Sequence, residues 1–215
     1  MNDRIKEQKN VYRFLAKKYD FLTNLFSFVF SKDAKKEFSG LMSEYIKPES
    51  EILDIGVGTG INIERALKAG IKFKSYTGID LTPEMLEVAK EKFDYLENVS
   101  FKTGNIMTMK IDKKYDAIIS TLVFEHLENQ EQIVNKLRSA LKPGGALLLM
   151  FFSEGTKKSK QNFISYLVDK AFRMLEPLFK LHYVPSETLT KFPKAKVEKH
   201  LPCWGGKMSI YVWQK

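Results

Sequence analysis

The sequence predicts an α/β fold: one mostly parallel sheet with an antiparallel last strand and helices on both faces. Three observations carry this. Between residues 51 and 152, short and nearly continuous apolar runs alternate with helical patterns, as strands do when helices cover both faces of a parallel sheet. Glycines at 56, 58 and 60 separate the first of these runs from the helical pattern after it, marking a strand–turn–helix junction. Near the C-terminus, Lys196–Leu201 and Met208–Trp213 flank Trp204-Gly-Gly206, which suits an antiparallel hairpin.

Residues 4–18 set Ile5, Val11, Phe14 and Leu15 among lysines and arginines, the pattern of a basic amphipathic helix. Residues 21–30 hold four phenylalanines with Leu22, Leu25 and Val29. That is too apolar for a free surface, so the run packs on the body, forms a lid or touches a membrane. Asp33–Ile46 is a third helix, ended by Pro48. Ile52, Leu53 and Ile55 form the first strand, and the helix Ile61–Ala69 stops at Gly70. Tyr76–Ile79 is the second strand. Thr82-Pro-Glu84 then offers a cap, a first-turn proline and a first-turn acid for a helix running to Phe93. Val99–Thr103, Tyr115–Ser120 and Ala146–Phe152 are the third, fourth and fifth strands, with a helix at Gln130–Leu141 closed by Lys142-Pro-Gly-Gly145. Residues 153–194 break the alternation with a lysine-rich loop, an amphipathic helix Phe163–Leu181 bent at Pro177, and a short helix capped at Ser186.

At 215 residues the chain is long enough for one α/β domain with a full core. A single cysteine, Cys203, rules out an internal disulfide; it reads as a partly buried small residue and fits a reducing cytoplasm. The N-terminus lacks the apolar core of a signal peptide, and the 21–30 run falls short of the roughly 20 apolar residues that span a bilayer. The net charge of +9 is uneven. Residues 1–47 hold ten Lys/Arg against six Asp/Glu, residues 48–155 hold thirteen against sixteen, and residues 156–200 hold ten against four. An acidic body between basic flanks suits an anionic surface or substrate near the flanks, although lysine used for solubility gives the same pattern.

The glycine turn is the chemical centre. A strand that passes through glycines into a helix turns tightly with no side chains in the way, and its backbone N–H groups are expected to face an open space. Asp80 ends the second strand twenty residues after Gly60, where a carboxylate can accept from both hydroxyls of a ribose. No cluster of His, Cys, Asp and Glu has metal-ligand spacing, so no metal is expected. Histidine as a residue type titrates near neutral pH, which makes His126 a candidate catalyst, with packing as the plainer reading.

With these residues in hand, the sequence resembles the class I S-adenosylmethionine-dependent methyltransferases. Leu53-Asp-Ile-Gly-Val-Gly-Thr-Gly60, Gly78-Ile-Asp-Leu-Thr-Pro-Glu-Met-Leu86, the strand-4 segment Tyr115–Leu127 and Leu141-Lys-Pro-Gly-Gly-Ala-Leu-Leu-Leu149 look like four family motifs in order. The resemblance implies a Rossmann-like seven-stranded sheet whose last strand is antiparallel. It also implies S-adenosylmethionine as cofactor and S-adenosylhomocysteine as product. Asp54, Gly56, Gly58 and Gly60 would line the methionine part, Asp80 would hold the ribose, and Leu81 would pack on the adenine. Asn105 and Ile106 would flank the adenine edge, and Thr121 would lie near the sulfonium. Asn105 departs from the family, which often has Asp there accepting from the adenine amino group; an Asn can still accept through its amide oxygen.

The opening segment, Tyr19-Asp-Phe-Leu-Thr-Asn24 and Phe28-Val-Phe30, more loosely resembles ubiquinone/menaquinone C-methyltransferases and bacterial phospholipid N-methyltransferases. It implies that Tyr19 sits over the cofactor as a lid residue, with helix packing as the plainer reading. The expected organisation is an N-terminal helical lid over 1–47 and a methyltransferase domain over 48–215, with a helical substrate-side insertion at about 153–194. The expected acceptor is a small, apolar, lipid- or quinone-like molecule, met in the cytoplasm with peripheral membrane contact. Two alternatives stand beside it: an RNA or protein methyltransferase docking through the basic flanks, and a non-catalytic protein that only binds the cofactor. No separate nucleic-acid-binding module is evident in the sequence. The glycine spacing departs from the GxGxxG of nicotinamide dehydrogenases, because the third glycine comes one residue early.

Overall fold

The computed structural model describes residues 32–154, 183–203 and 206–215. The helices expected at 4–18 and 163–181, the 21–30 run, Tyr19, residues 204–205 of the expected turn and the side chain of Cys203 lie outside the described residues. The described chain runs α1 (Lys32–Tyr45), β1 (Glu51–Ile55), α2 (Ile61–Lys68), β2 (Ser75–Asp80), α3 (Pro83–Phe93) and β3 (Val99–Thr103). It continues through β4 (Tyr115–Thr121), a 3-10 turn (Phe124–His126), α4 (Gln130–Ser139), β5 (Leu141–Glu154), α5 (Ser186–Thr190), β6 (Val197–Cys203) and β7 (Gly206–Gln214).

The seven strands form one sheet in the order β3-β2-β1-β4-β5-β7-β6. The first five are mutually parallel, and β7 runs antiparallel between β5 and β6. The apolar runs become strands because both faces are covered. Ile52, Ala117, Ile119, Leu148, Ile210 and Val212 share one buried cluster with α1 and α2. Leu53, Ile55, Ile118, Leu147, Leu149 and Tyr211 share the other with α4. Alternate residues along each strand thus serve opposite cores, the period-2 rule of the pleat.

The structure differs from the sequence expectation at several points. α4 stops at Ser139, and β5 begins at Leu141, running through the segment expected to be a turn. The cause is β7: Gly144 N donates to Lys215 O, and Lys215 N to Gly145 O, so the chain end supplies the strand bonds. Neither expected hydroxyl cap forms. Thr82 and Pro185 hold the cap positions of α3 and α5 without a side-chain cap bond, and the Ser186 N–H is instead accepted by Glu154 Oε2 at 3.1 Å. The helix grouped by sequence with the N-terminal lid belongs to the body. Phe38 and Met42 of α1 are fully buried in the core of β1, β5 and β7, and Arg65 lies over the Phe38 ring.

Candidate active site

A cleft opens at the C-terminal edge of the sheet beside β1 and β4. These strands are neighbours, but the chain leaves them in opposite directions, so the crevice between their ends is left open. The turn after β1 builds one wall. Gly56 and Gly58 have φ of 70° and 55°, and a Cβ on Gly56 would overlap Val123, so the segment after β4 closes onto the turn only because glycine stands there. The expectation of open backbone donors is not met. Gly56 N and Val57 N donate to Ile79 O at 2.7 and 3.1 Å, Gly58 N donates to Asp80 Oδ2 at 2.9 Å, and Gly60 N donates to Val57 O at 2.9 Å. These N–H groups are consumed within the protein. A phosphate site needs such donors free. The turn instead presents glycine Cα surface, suited to close approach by a group that carries no phosphate.

Asp80 sits at the tip of β2, half-buried on the cleft. The backbone N–H of Gly58 bonds its Oδ2 and that of Thr82 its Oδ1 at 2.8 Å, and the Thr82 side chain and Leu81 N–H act on it more weakly. Burial raises its pKa, opposed by the Thr82 and Gly58 N–H groups. A carboxylate oxygen has two lone pairs, so each retains capacity for a ligand hydroxyl. Leu81, Asn105, Ile106 and Met107 line the same cleft. Lys136 of α4 ties their loop down, donating to Ile106 O at 2.6 Å and Met109 O at 2.5 Å. Thr121 and His126 line the opposite side. Between them Leu122 holds φ of 58°, an uncommon value for a branched side chain and one with no signal in the sequence.

The remaining sequence candidates lie elsewhere. Gly60 starts α2 and packs against Phe93 rather than lining the cleft. Asp54 is fully buried beneath the turn. The Tyr76 hydroxyl donates to its Oδ2 at 2.6 Å, and Asn62 Nδ2 reaches both oxygens at 3.1–3.2 Å. Asn62 also donates to Thr121 Oγ1 at 3.2 Å, and its Oδ1 accepts from Arg65 at 2.5 Å. Burial pushes the Asp54 carboxyl up to about 7, against the pull of these hydrogen bonds and the Arg65 charge. Asp54 therefore acts from beneath, fixing the turn and Thr121 through one shared amide.

Sequence reasoning missed Glu125. It is buried in the 3-10 turn after β4, and burial pushes its carboxyl up to about 8, against its own N–H and that of Phe152. Its Oε2 has no partner among the described residues. Its only signal was adjacency to His126. Among the described residues no three His, Cys, Asp or Glu side chains converge as a metal site, and no helix is long and apolar enough to cross a membrane.

S-adenosylmethionine, the cofactor implied by the resemblance, fits this donor and acceptor set. A carboxylate with spare lone pairs stands where a ribose diol needs acceptors, apolar walls stand where a base needs a slot, and the glycine turn offers no phosphate cradle.

Comparison with known proteins points to the same family. A family model described as a methyltransferase domain matches residues 52–145. The chain is 30% identical over 177 residues to a demethylmenaquinone methyltransferase of Staphylococcus aureus (strain JH9), covering 81% of this chain and 70% of that protein. It is 33% identical over 130 residues to a malonyl-[acyl-carrier protein] O-methyltransferase of Priestia megaterium (strain DSM 319 / IMG 1521), covering 60% of this chain and 47% of that protein. The chain spans about half the length of several such relatives. Among solved structures, a DhpI–SAH complex has a TM-score of 0.66 at 17% identity over 98% of this chain and 96% of that one. The N-methyltransferase NodS of Bradyrhizobium japonicum WM9 has a TM-score of 0.60 at 18% identity over 86% of each chain. These two show the shared fold.

Proposed function

The chain belongs to the class I S-adenosylmethionine-dependent methyltransferases, and on that footing we propose that it transfers a methyl group to a small, apolar, lipid- or quinone-like acceptor. The observation that carries the reading is the glycine turn with its donors already consumed, set beside Asp80 with acceptor capacity to spare. That pairing suits a nucleoside joined to something other than a phosphate.

The cofactor, when bound, supplies an electrophilic methyl on a sulfonium. Asp80 accepts from the ribose hydroxyls, Leu81 and Ile106 pack on the base, and Gly56 and Gly58 admit the methionine part without side-chain obstruction. Asp54 holds the turn from below through Asn62, while Gly60 opens the helix behind it. Thr121 lies near the sulfonium, and His126 faces the acceptor side of the cleft. His126 takes a proton there if the acceptor must lose one. Aligning the two reactants and excluding water is the protein's main contribution.

The acceptor class draws support from the aromatic and basic N-terminal segment and from the relative named for demethylmenaquinone. Incubating the protein with methyl-labelled S-adenosylmethionine and a whole-cell extract tests the reading, once the products are separated into lipid, RNA, protein and small-molecule fractions. Label in the lipid or quinone fraction is expected. Label in RNA or protein would keep the family and overturn the acceptor class. Tight cofactor binding with no label anywhere would make the chain a non-catalytic binder.

A further inference from the structure

Asn105 carries a constraint that its sequence does not show. It follows β3 and lines the cleft. Its Oδ1 accepts the backbone N–H of Met107 at 2.9 Å, closing a side-chain turn, while its own carbonyl accepts from Thr108 N at 3.1 Å and Met109 N at 2.8 Å. A backbone N–H is only ever a donor, so it fixes which end of the amide faces it. Turning the amide over would set Nδ2 against the Met107 N–H, donor against donor. Lys136 restrains the same loop from below through Ile106 O and Met109 O, so the loop cannot easily shift to relieve such a clash. Nδ2 donates to none of the described residues, whereas Oδ1 already holds the Met107 N–H, so the NH2 is the end of the side chain with both its bonding positions open.

Resting on the cofactor reading above, we propose that Asn105 presents its amide NH2, not its carbonyl, to the base edge and pairs with a ring nitrogen. The exocyclic 6-amino group then goes unread by this side chain, and the slot takes adenine and its analogue with hydrogen at position 6 alike. The expectation that the amide oxygen accepts from the amino group is replaced. An aspartate at 105 would behave differently: one oxygen could keep the Met107 N–H while the other accepted from the amino group. Position 105 therefore decides whether the 6-position of the base is recognised.

The test is calorimetric binding of two probes to the full chain: S-adenosylhomocysteine, and its analogue with the 6-amino group replaced by hydrogen. Removing that group leaves the ring nitrogens as acceptors, so only recognition of the amino group is measured. The wild-type protein is expected to bind the two within about threefold, because no hydrogen bond to the amino group is lost. Asn105→Asp is expected to favour S-adenosylhomocysteine by about tenfold or more, the scale of a hydrogen bond to a charged acceptor. A wild-type preference for the amino form of about tenfold would overturn the assignment, and this holds whether or not the variant folds. A folded Asn105→Asp protein that still ignores the amino group would overturn it as well. Failure of the wild-type protein to bind either probe would instead remove the cofactor reading itself, and this inference with it.

Discussion

Removing one hydroxyl, by Tyr76→Phe, should expose the energetics of the buried carboxylate under the glycine turn. Tyr76 and Asp54 are both fully buried, and the 2.6 Å bond between them is short enough to be charge-assisted when Asp54 is ionised. The groups facing Asp54 are Tyr76 from β2, Asn62 and Arg65 from α2, and the Asp80 charge at the tip of β2. Its pKa in the folded protein is about 7, above the ordinary carboxylate value, so the native state holds the proton more tightly than the unfolded chain. Stability is therefore lost as pH rises through that interval, and the full cost stands above pH 7. Tyr76 softens this cost by stabilising the ionised form. A hydrogen bond to a charged group contributes about 1.5–3 kcal/mol, and a neutral one about 0.5–1.5 kcal/mol. Tyr76→Phe should then cost about 1.5–3 kcal/mol at pH 8.5, where Asp54 is ionised, and about half that at pH 5.5, where it is protonated. For a chain of this size each kcal/mol moves Tm by about 2–4 °C. Thermal unfolding followed by circular dichroism at both pH values should show the larger drop at pH 8.5. An equal drop at both would refute the idea that the hydroxyl serves the charged form of Asp54.

Other consequences follow from the same structure. Glu125, raised to about 8 by burial, also binds its proton more tightly in the folded state, so wild-type stability should fall as pH rises from about 5 to 8. Glu125→Gln removes that titration; its Tm should decline less than the wild type between pH 6 and 9, and an unchanged slope would count against the buried-acid account. Phe38→Ala should destabilise the protein by about 3–5 kcal/mol, because α1 is core; a denaturant midpoint near that of the wild type would return the helix to a lid. Asp80→Ala should weaken S-adenosylhomocysteine binding by at least about tenfold, through the lost ribose acceptors and the released Gly58 and Thr82 N–H groups. Calorimetry showing unchanged affinity would reduce Asp80 to a structural role.

The sheet was legible because its signals are local. An apolar run such as Tyr115–Ser120 can be satisfied only by burial on both faces, and glycines at 56, 58 and 60 mark a backbone that bulkier residues would strain. What was not legible depends on residues far apart in the chain. The Gly56 and Val57 N–H groups look open in the sequence, yet β2 lies parallel to β1 and delivers Ile79 O to both. Tyr76 reads as a strand residue. The register sets it opposite Ile52, two residues before Asp54 on the same strand, so its long side chain crosses diagonally to the carboxylate.

The same logic separates what the cleft specifies from what it leaves open. Its cofactor side is built from backbone geometry and a few polar groups on strand tips, Asp80 and Thr121, with Asn105 just beyond a third, each held by a partner the fold must supply. A pattern so constrained repeats in recognisable form wherever the same ligand is held, and so it can be read from residue order. The acceptor side has no such constraint. In the described chain it is bordered by His126 and Leu127, beside the apolar side chains of Leu122 and Val123. One imidazole among apolar walls suits many acceptors. Discrimination there must come from shape and from side chains that vary with the substrate. The methyl acceptor is therefore the property for which residue order carries the least information, and measurement of the transferred label carries the most.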